Sequence, residues 1–500
     1  MLYQSTRGDN GRYESAAAIS QGLANDGGLF APDSLPTITY EDIQSLSKQP
    51  YYKRAAYIMS LFLEDFSLTE LEEYSERAYS TSLENGFTNE AVAPLYKLDD
   101  KIHFLELWHG PTYAFKDMAL QIMPKLLVKS LEKVGESREV CILVATSGDT
   151  GKAALEGFCD IPGTKIIVFY PQDGVSEVQK LQMVSQMGNN VDVVAVEGNF
   201  DDAQTGVKNI FSDIEFCSEL NQDGYIFSSA NSINVGRLVP QVAYYVSAYC
   251  DLLVSGEIEL GEKINFCVPT GNFGNILAAY YAERMGLPIN KLICASNSND
   301  VLTQFINTGV YDRKRPFYTT VSPSMDILVS SNLERLLFEL SNKNSTEIAS
   351  YMSALSTEGR YAVSDDIRNE LDRVFSAGHC NEADTKITIK DTFDNNGYLI
   401  DTHTAVAYKV LNDYISATGD GCTSVVVSTA SPFKFCEAVL ESLKVESKGS
   451  GIDLVEELSA ATGCIAPTQL ASLKDCEQRF TNVVATSAMK SVVNKFIRGL

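Results

Sequence analysis

Six short apolar runs in this chain each end in a polar turn that leads into a helix-forming stretch, and this rhythm restricts the fold more than any other feature. Residues 141–145 run through TSGDTG into 152–158, and 165–170 precede a helical pattern near 175–187. Residues 191–196 lead through Glu-Gly-Asn into 200–212, and 266–268 enter PTGNFGN before 276–285. Residues 292–295 are followed by 301–306, and 425–427 enter STASP before 433–443. Parallel strands need crossover connections of this kind, and strands covered on both faces read as continuous apolar runs. The pattern predicts an α/β chain of mostly parallel, doubly wound sheets with helices on both faces. In such folds ligands collect at the carboxyl ends of the strands, where these polar turns fall.

The first 90 residues lack that rhythm. Helical patterns over 41–60 and 68–82 dominate there, and a boundary is expected near Ala93-Pro94. Residues 312–395 read as helix and loop without a clear repeat. Five hundred residues, at about 150 per domain, leave room for two to four domains with substantial cores.

Sixty-five acidic against 40 basic residues leave a net charge of −25. That balance repels phosphate backbones, so nucleic acid and anionic membranes are disfavoured partners, and an anionic substrate requires a locally positive site. No stretch reaches the roughly 18 unbroken apolar residues of a membrane span. The opening MLYQSTRGDN lacks the basic-then-apolar layout of a signal peptide. Eleven cysteines, none in the first 140 positions and none in CxxC spacing, read as free thiols suited to a reducing compartment, and a cytoplasmic location is expected. His103, His109, His379 and His403 are too dispersed for a ligand cluster, so no metal is expected.

Four of the turns carry residues suited to chemistry. VPTGNFGN (268–275) places glycines at 271 and 274, so that backbone N–H groups converge beside a helix start as a seat for phosphate. Such a GxxG turn also serves as a plain tight connection. ATSGDTGK (145–152) ends like a Walker loop but fails that motif twice. Thr146 stands where the first glycine belongs, and Ala153 where a magnesium-binding hydroxyl belongs. What remains is a hydroxyl-rich helix start suited to a carboxylate or phosphate, or simply a helix capped by Ser147 or Asp149. In HGPTYAFKD (109–117), Lys116 lies among Tyr113, Ala114, Phe115 and Met118. Partial desolvation there would lower its pKa and favour a nucleophilic amine, whereas most lysines are solvated surface groups. STASP (428–432) offers hydroxyls after a buried strand, with helix capping as the plain alternative. No GxGxxG follows a strand, which leaves a dinucleotide site unsupported. The SxxK spacing of Ser431 and Lys434 lacks its SDN and KTG companions.

Taken in order, these motifs resemble the threonine synthase family, pyridoxal-phosphate enzymes of fold type II. The resemblance runs over nearly the whole chain. It comprises STRG (5–8), GLANDGGLF (22–30), HGPTYAFKD (109–117), TSGDTGKAALEGF (146–158), NSINVGR (231–237), VPTGNFGN (268–275), PSMDI (323–327), DTHTAV (401–406) and STA (428–430). It implies two α/β domains behind an N-terminal, mainly helical domain of residues 1–93. Residues 94–135 and 225–500 would form the large cofactor-binding domain, and 136–224 the small domain with the SGDTG loop. By position, Lys116 resembles the lysine that carries pyridoxal phosphate as an imine and shuttles protons. Gly271, Asn272, Phe273, Gly274 and Asn275 resemble the loop that binds the cofactor phosphate, and Thr429 the hydroxyl that hydrogen-bonds the pyridine nitrogen. Ser147, Gly148, Asp149 and Thr150 resemble the turn that grips the substrate α-carboxylate. Asn231, Ser232 and Arg237 are candidates for the substrate phosphate.

The reaction this resemblance implies is the conversion of O-phospho-L-homoserine and water to L-threonine and phosphate, by a monomer or homodimer. A neutral Thr429 cannot ion-pair with a pyridinium, which implies a ring held unprotonated. The alternatives are a related dehydratase that yields 2-oxobutyrate and a cofactor-free binding protein on the same scaffold; Lys116 argues against the latter. The chain departs from the family at Ser431-Pro-Phe-Lys434-Phe, where His-Pro-Ala-Lys-Phe is frequent. It departs again at Thr402 and Ala407, where proline and glycine are frequent.

Overall fold

A short antiparallel pair, β1 (Tyr3–Ser5) and β2 (Phe30–Pro32), opens the chain among four helices, Ser15–Gln21, Tyr40–Leu46, Tyr51–Phe62 and Leu68–Ala78. The computed structural model describes residues 1–83, 86–173 and 175–499. The single helix expected over 41–60 is two. Pro50, the N-cap of the second, has no N–H to continue the ladder, and its ring disfavours helical backbone before it. The next helix starts cleanly because Ser67 and Glu70 form a reciprocal capping box.

β3 (Leu95–Lys97) and β4 (Ile102–Glu106) begin the larger sheet as an antiparallel pair. β5 (Glu139–Ala145), β6 (Thr164–Pro171), β7 (Val191–Glu197) and β8 (Tyr225–Ser228) then build a second, wholly parallel sheet. The chain returns to the first sheet with β9 (Ile264–Pro269) and β10 (Ile289–Ser296). It makes an outlying antiparallel pair, β11 (Val310–Asp312) and β12 (Arg360–Ala362), and completes the sheet with β13 (Phe375–His379) and β14 (Ser424–Ser428). β15 (Val483–Ala485) joins the second sheet. The strand orders are β13-β10-β9-β14-β4-β3 and β15-β7-β6-β5-β8. All pairings in the larger sheet but β3–β4 are parallel, so the doubly wound, mostly parallel α/β expectation holds. Val140 to Val144 of β5 and Val425 to Val427 of β14 are fully buried, as strands covered on both faces must be. No helix among the described residues is long and apolar enough to cross a membrane.

Two strands depart from the expected division, and a third from the helix-and-loop reading of 312–395. β8, assigned by position to the large domain, hydrogen-bonds to β5 with Ile226 opposite Val140. The tail also returns to the small sheet, Val484 opposite Val196, and its last helix packs Met489, Val493 and Ile497 against Cys141, Leu143, Ile167 and Val194. These two strands are four and three residues long, too short for any period to name a partner. β13, FSAGH, contains no β-branched residue, and so carried no strand signal in a region read as helix and loop.

Candidate active site

The turns that follow β4, β5, β9 and β14 meet at the carboxyl ends of those strands, as the parallel topology requires. After β4, residues 113–115 run antiparallel to 429–431. Phe115 N–H donates to Thr429 O (2.8 Å), Ser431 N–H donates to Tyr113 O (3.0 Å), and Ala114 pairs with Ala430. This short zip sets Lys116 beside the Thr429 segment.

Lys116 Nζ lies 3.3 Å from Ser324 Oγ, 3.6 Å from Asp149 Oδ2 and 4.7 Å from the centre of the Phe115 ring. Burial pushes the pKa of this 9 % exposed amine down, and the nearby charges of Lys434 and Arg237 push the same way, against Asp149. The desolvation expected from the aromatic surroundings is thus present. Asp149 is the hub of the cluster: its Oδ1 forms an ion pair with Lys434 Nζ (2.9 Å) and accepts from Gln179 Nε2 (2.8 Å). Burial alone would raise its carboxyl, but Lys434 and Lys116 overcome that and hold it far below the usual carboxylate range. Lys434 is 1 % exposed and donates to Thr112 O (2.7 Å) and Gln182 Oε1 (3.0 Å) beside its ion pair with Asp149.

The turn between β5 and the helix Asp149–Phe158 is not capped by Ser147 or Asp149. Gly148 is the N-cap residue, and no side chain caps it. Thr146 Oγ1 instead accepts the N–H groups of Gly148 (3.0 Å) and Gly151 (2.9 Å). Gly148 has φ 145°, and a Cβ there would sit 2.6 Å from the Gln179 side chain, so glycine is required on both counts. The expectation that this turn grips a substrate carboxylate needs one correction. The Asp149 side chain is already committed to Lys434, Gln179 and Lys116, and it would repel a second carboxylate. Backbone amides at the helix start and the half-buried hydroxyls of Ser147 and Thr150 remain for that purpose.

The GNFGN loop joins β9 to the helix Gly274–Met285, with Phe273 buried in a left-handed conformation (φ 62°). Asn275 Oδ1 accepts from the hydroxyls of Tyr244 and Tyr245, both at 2.6 Å, while its Nδ2 is buried without a partner. Asn332 Nδ2 bridges Asn272 O (3.0 Å) and Ser232 O (3.2 Å). Arg335, fully buried, donates to Asn332 Oδ1 and Ile233 O, both at 2.5 Å. These two side chains tie the loop to the segment 231–237. Within that segment Asn231 and Ser232 are half-buried, and Arg237 is 4 % exposed with Nη1 on Ala230 O (2.8 Å) and Nε unpartnered. Burial lowers the Arg237 pKa to about 10, with no carboxylate raising it. A chain of net charge −25 thus brings Lys434 and Arg237 close enough to act on Lys116, with Asp149 shared between the two lysines and the buried Asp117 within reach of Lys434.

A Cβ on Gly271 would sit 2.6 Å from Ser324 O, because the loop packs directly on the PSMDI segment. Gly271→Ala is expected to cost about 1–3 kcal/mol through overpacking, read as a lower urea midpoint at unchanged slope. An unchanged midpoint would show that the PSMDI segment yields freely.

Sequence reasoning assigned no role to Ser324, Asp401, His403 or Lys434, although each lies in a motif it noted. His403 Nε2 accepts the Ser324 N–H (3.2 Å), and Nδ1 faces Asp401 Oδ1 (2.8 Å), which places the ring proton on Nδ1. His403 thus holds the backbone of the residue that orients Lys116. Asp401 caps the helix Thr402–Thr418, and Thr402 occupies its first position, where the N–H has no intrahelical partner and threonine serves as well as proline. Ser431 Oγ accepts the Phe433 N–H (3.3 Å) and caps the short turn Pro432–Lys434 that presents Lys434.

Residues 2–79 match the family described as Threonine synthase N terminus, 88–430 the Pyridoxal-phosphate dependent enzyme family, and 404–497 the Threonine synthase, C-terminal family. Threonine synthase of Pseudomonas aeruginosa is 39% identical over 88% of this chain and 90% of that protein. Threonine synthase-like 1 of Pongo abelii is 39% identical over 96% of this chain, which spans 66% of that relative's length. Among solved structures, PLP-bound threonine synthase from Brucella melitensis has a TM-score of 0.87 at 36% identity, covering 100% of this chain and 99% of that one. Threonine synthase from yeast has a TM-score of 0.88 at 32% identity, again covering 100% of this chain and 99% of that one. The expected fold type II architecture stands on those likenesses. Agreement of this extent, through all three parts of the sequence, has one meaning: the chain belongs to the threonine synthase family of pyridoxal-phosphate-dependent enzymes.

Proposed function

We propose that this protein converts O-phospho-L-homoserine and water to L-threonine and phosphate, with pyridoxal phosphate as cofactor. The observation that carries the reading is the buried Lys116, its basicity lowered, set among the strand-end turns with Lys434 and Arg237 nearby and Asp149 shared between the two lysines. The residues present fit the cofactor: Lys116 Nζ suits its aldehyde, and the unpartnered Asn275 Nδ2 and the helix start at Gly274 suit its phosphate. When bound, pyridoxal phosphate supplies an electron sink for charge that develops at the substrate α-carbon.

The chain's own residues then have separable tasks. Lys116 Nζ takes and returns protons, and its lowered pKa keeps more free amine near neutrality than a solvated lysine has. Ser324 Oγ orients that amine, and His403 holds Ser324 in place. Residues 271–275 hold the cofactor phosphate, and Thr429 offers its hydroxyl to the pyridine nitrogen. The amides of 147–150 with the hydroxyls of Ser147 and Thr150 bind the substrate carboxylate. Arg237, whose Nε lacks a partner, meets the substrate phosphate together with Asn231 and Ser232, and a charge-assisted contact in this buried setting is strong. A cytoplasmic location and a monomeric or homodimeric state belong to the same proposal.

Holoprotein mixed with O-phospho-L-homoserine should release phosphate and L-threonine in equal amounts. Release of 2-oxobutyrate and ammonia in place of threonine would refute the reading. Thr429→Ala is expected to slow turnover about tenfold, the worth of one ordinary hydrogen bond, while the visible absorbance of the bound cofactor persists. An unchanged rate would remove this hydroxyl from the site.

A further inference from the structure

We propose that Lys434 is a positioning residue for the reacting amine: by holding Asp149 in a buried ion pair, it sets how much of that carboxylate's charge reaches Lys116. The proposal deepens the reading of Lys116 as the reacting lysine and rests on it.

One carboxylate here serves two ammonium groups. Lys434 Nζ is 2.9 Å from Asp149 Oδ1, and Lys116 Nζ is 3.6 Å from Oδ2. Lys434 is not placed to meet a substrate, since it is 1 % exposed and donates to Thr112 O and Gln182 Oε1. Its acceptors also come from both sides of the molecule. Thr112 follows a strand of the larger sheet, whereas Asp149 and Gln182 lie on helices that follow strands of the smaller one. The charge that Asp149 turns on Lys116 is therefore offset by Lys434, which shares the hold on Oδ1 with the neutral Gln179 and makes no hydrogen bond to Lys116 or Ser324.

The charges facing Lys116 are few. Asp149 approaches from the helix Asp149–Phe158, Lys434 from the turn Pro432–Lys434 and Arg237 from the helix Val235–Ser255. On its own helix, Asp117 is bonded by Thr112 and Gln121, and burial raises its carboxyl to about 6. His403 acts through the Ser324 backbone and is held by Asp401. At separations of about 4–7 Å and an effective dielectric of about 20, one charge shifts a neighbour's pKa by about two to three units. The signs are opposite for the two partners: loss of the Lys434 charge raises the basicity of Lys116 Nζ, and loss of the Asp149 charge lowers it.

The test compares Lys434→Met, Lys434→Arg, Asp149→Asn and the double variant Asp149→Asn/Lys434→Met as holoproteins. Two readouts are taken, the pH midpoint of the visible cofactor absorbance and the acid limb of the pH–rate profile. Lys434→Met should move them upward by about two units, Asp149→Asn downward by about two to three, and the double variant and Lys434→Arg should stay near the parent. A contact that merely clasps the two sheets would lower the thermal midpoint of both single variants and leave both pH readouts in place. That outcome, or shifts of the same sign, overturns the proposal. Should Lys434→Met fail to fold, Asp149→Asn against the charge-neutral double variant decides the matter, and equal readouts in that pair overturn it. Absence of the visible band in the parent protein would overturn the reading of Lys116 itself, so the two failures are distinguishable.

Discussion

Lys116→Ala is expected to yield a folded protein that has lost turnover by at least about 10³-fold together with its visible absorbance. The fold survives because Asp149, the one charge that Lys116 approaches, keeps its ion pair with Lys434 and its hydrogen bond from Gln179. No buried carboxylate is orphaned, which is the situation that makes loss of a charged partner costly. The catalytic loss follows from removing the group that exchanges protons, worth about 10²–10⁴ on its own, together with the attachment point for the cofactor. Circular dichroism matching the parent, with no visible band and no threonine formed, is the result to look for. Substantial turnover in this variant would move the reaction to another side chain. In the parent, burial pulls the amine below the ordinary lysine pKa of 10.5. Its acid limb should therefore lie at lower pH than a solvated lysine would give, with activity falling as the amine gains its proton.

Arg237→Met should raise KM for O-phospho-L-homoserine by about 10–100-fold, with much less effect on cofactor affinity. A hydrogen bond to a charged group contributes about 1.5–3 kcal/mol, and each 1.4 kcal/mol is a factor of ten. The variant is expected to fold, because Arg237 makes one hydrogen bond to Ala230 O and has no buried counter-ion to strand. Removing a desolvated, unpaired guanidinium also relieves a burial cost. Steady-state kinetics against phosphohomoserine, beside a cofactor titration followed by absorbance, separates the two affinities. Unaltered KM would transfer the phosphate to another cation, and an equal loss of cofactor would mean that Arg237 serves the GNFGN loop through Asn332 and Arg335.

Much of this was legible in the residue order because it is local. An apolar run that ends in TSGDTG or PTGNFGN announces a buried strand, a sharp turn and a helix start within fifteen residues, and backbone sterics settle the rest. Lys116 stood out by its aromatic neighbours, and the HGPTYAFKD and STA motifs marked both edges of the site. Short or unpatterned pieces were not legible. Tyr225–Ser228 and Val483–Ala485 have too few residues to show a period, and Phe375–His379 lacks the branched side chains that mark a strand. Cap chemistry was not legible at Gly148 either, where Thr146 takes the amide protons and the alternative of a cap from Ser147 or Asp149 falls away.

The order of residues by itself determined the strand–turn–helix units, the free thiols and the group of turns from which a site is made. Only the tertiary structure decided which turns meet and which charges pair. Lys116 meets Asp149, and Asp149 meets Lys434, because residues 113–115 zip onto 429–431 and the small sheet docks its first turn against them. Periodicity reports only on a residue's near neighbours along the chain. An electrostatic partner is set by distance in space, and for Lys116 and Lys434 that distance exists only after both sheets have formed.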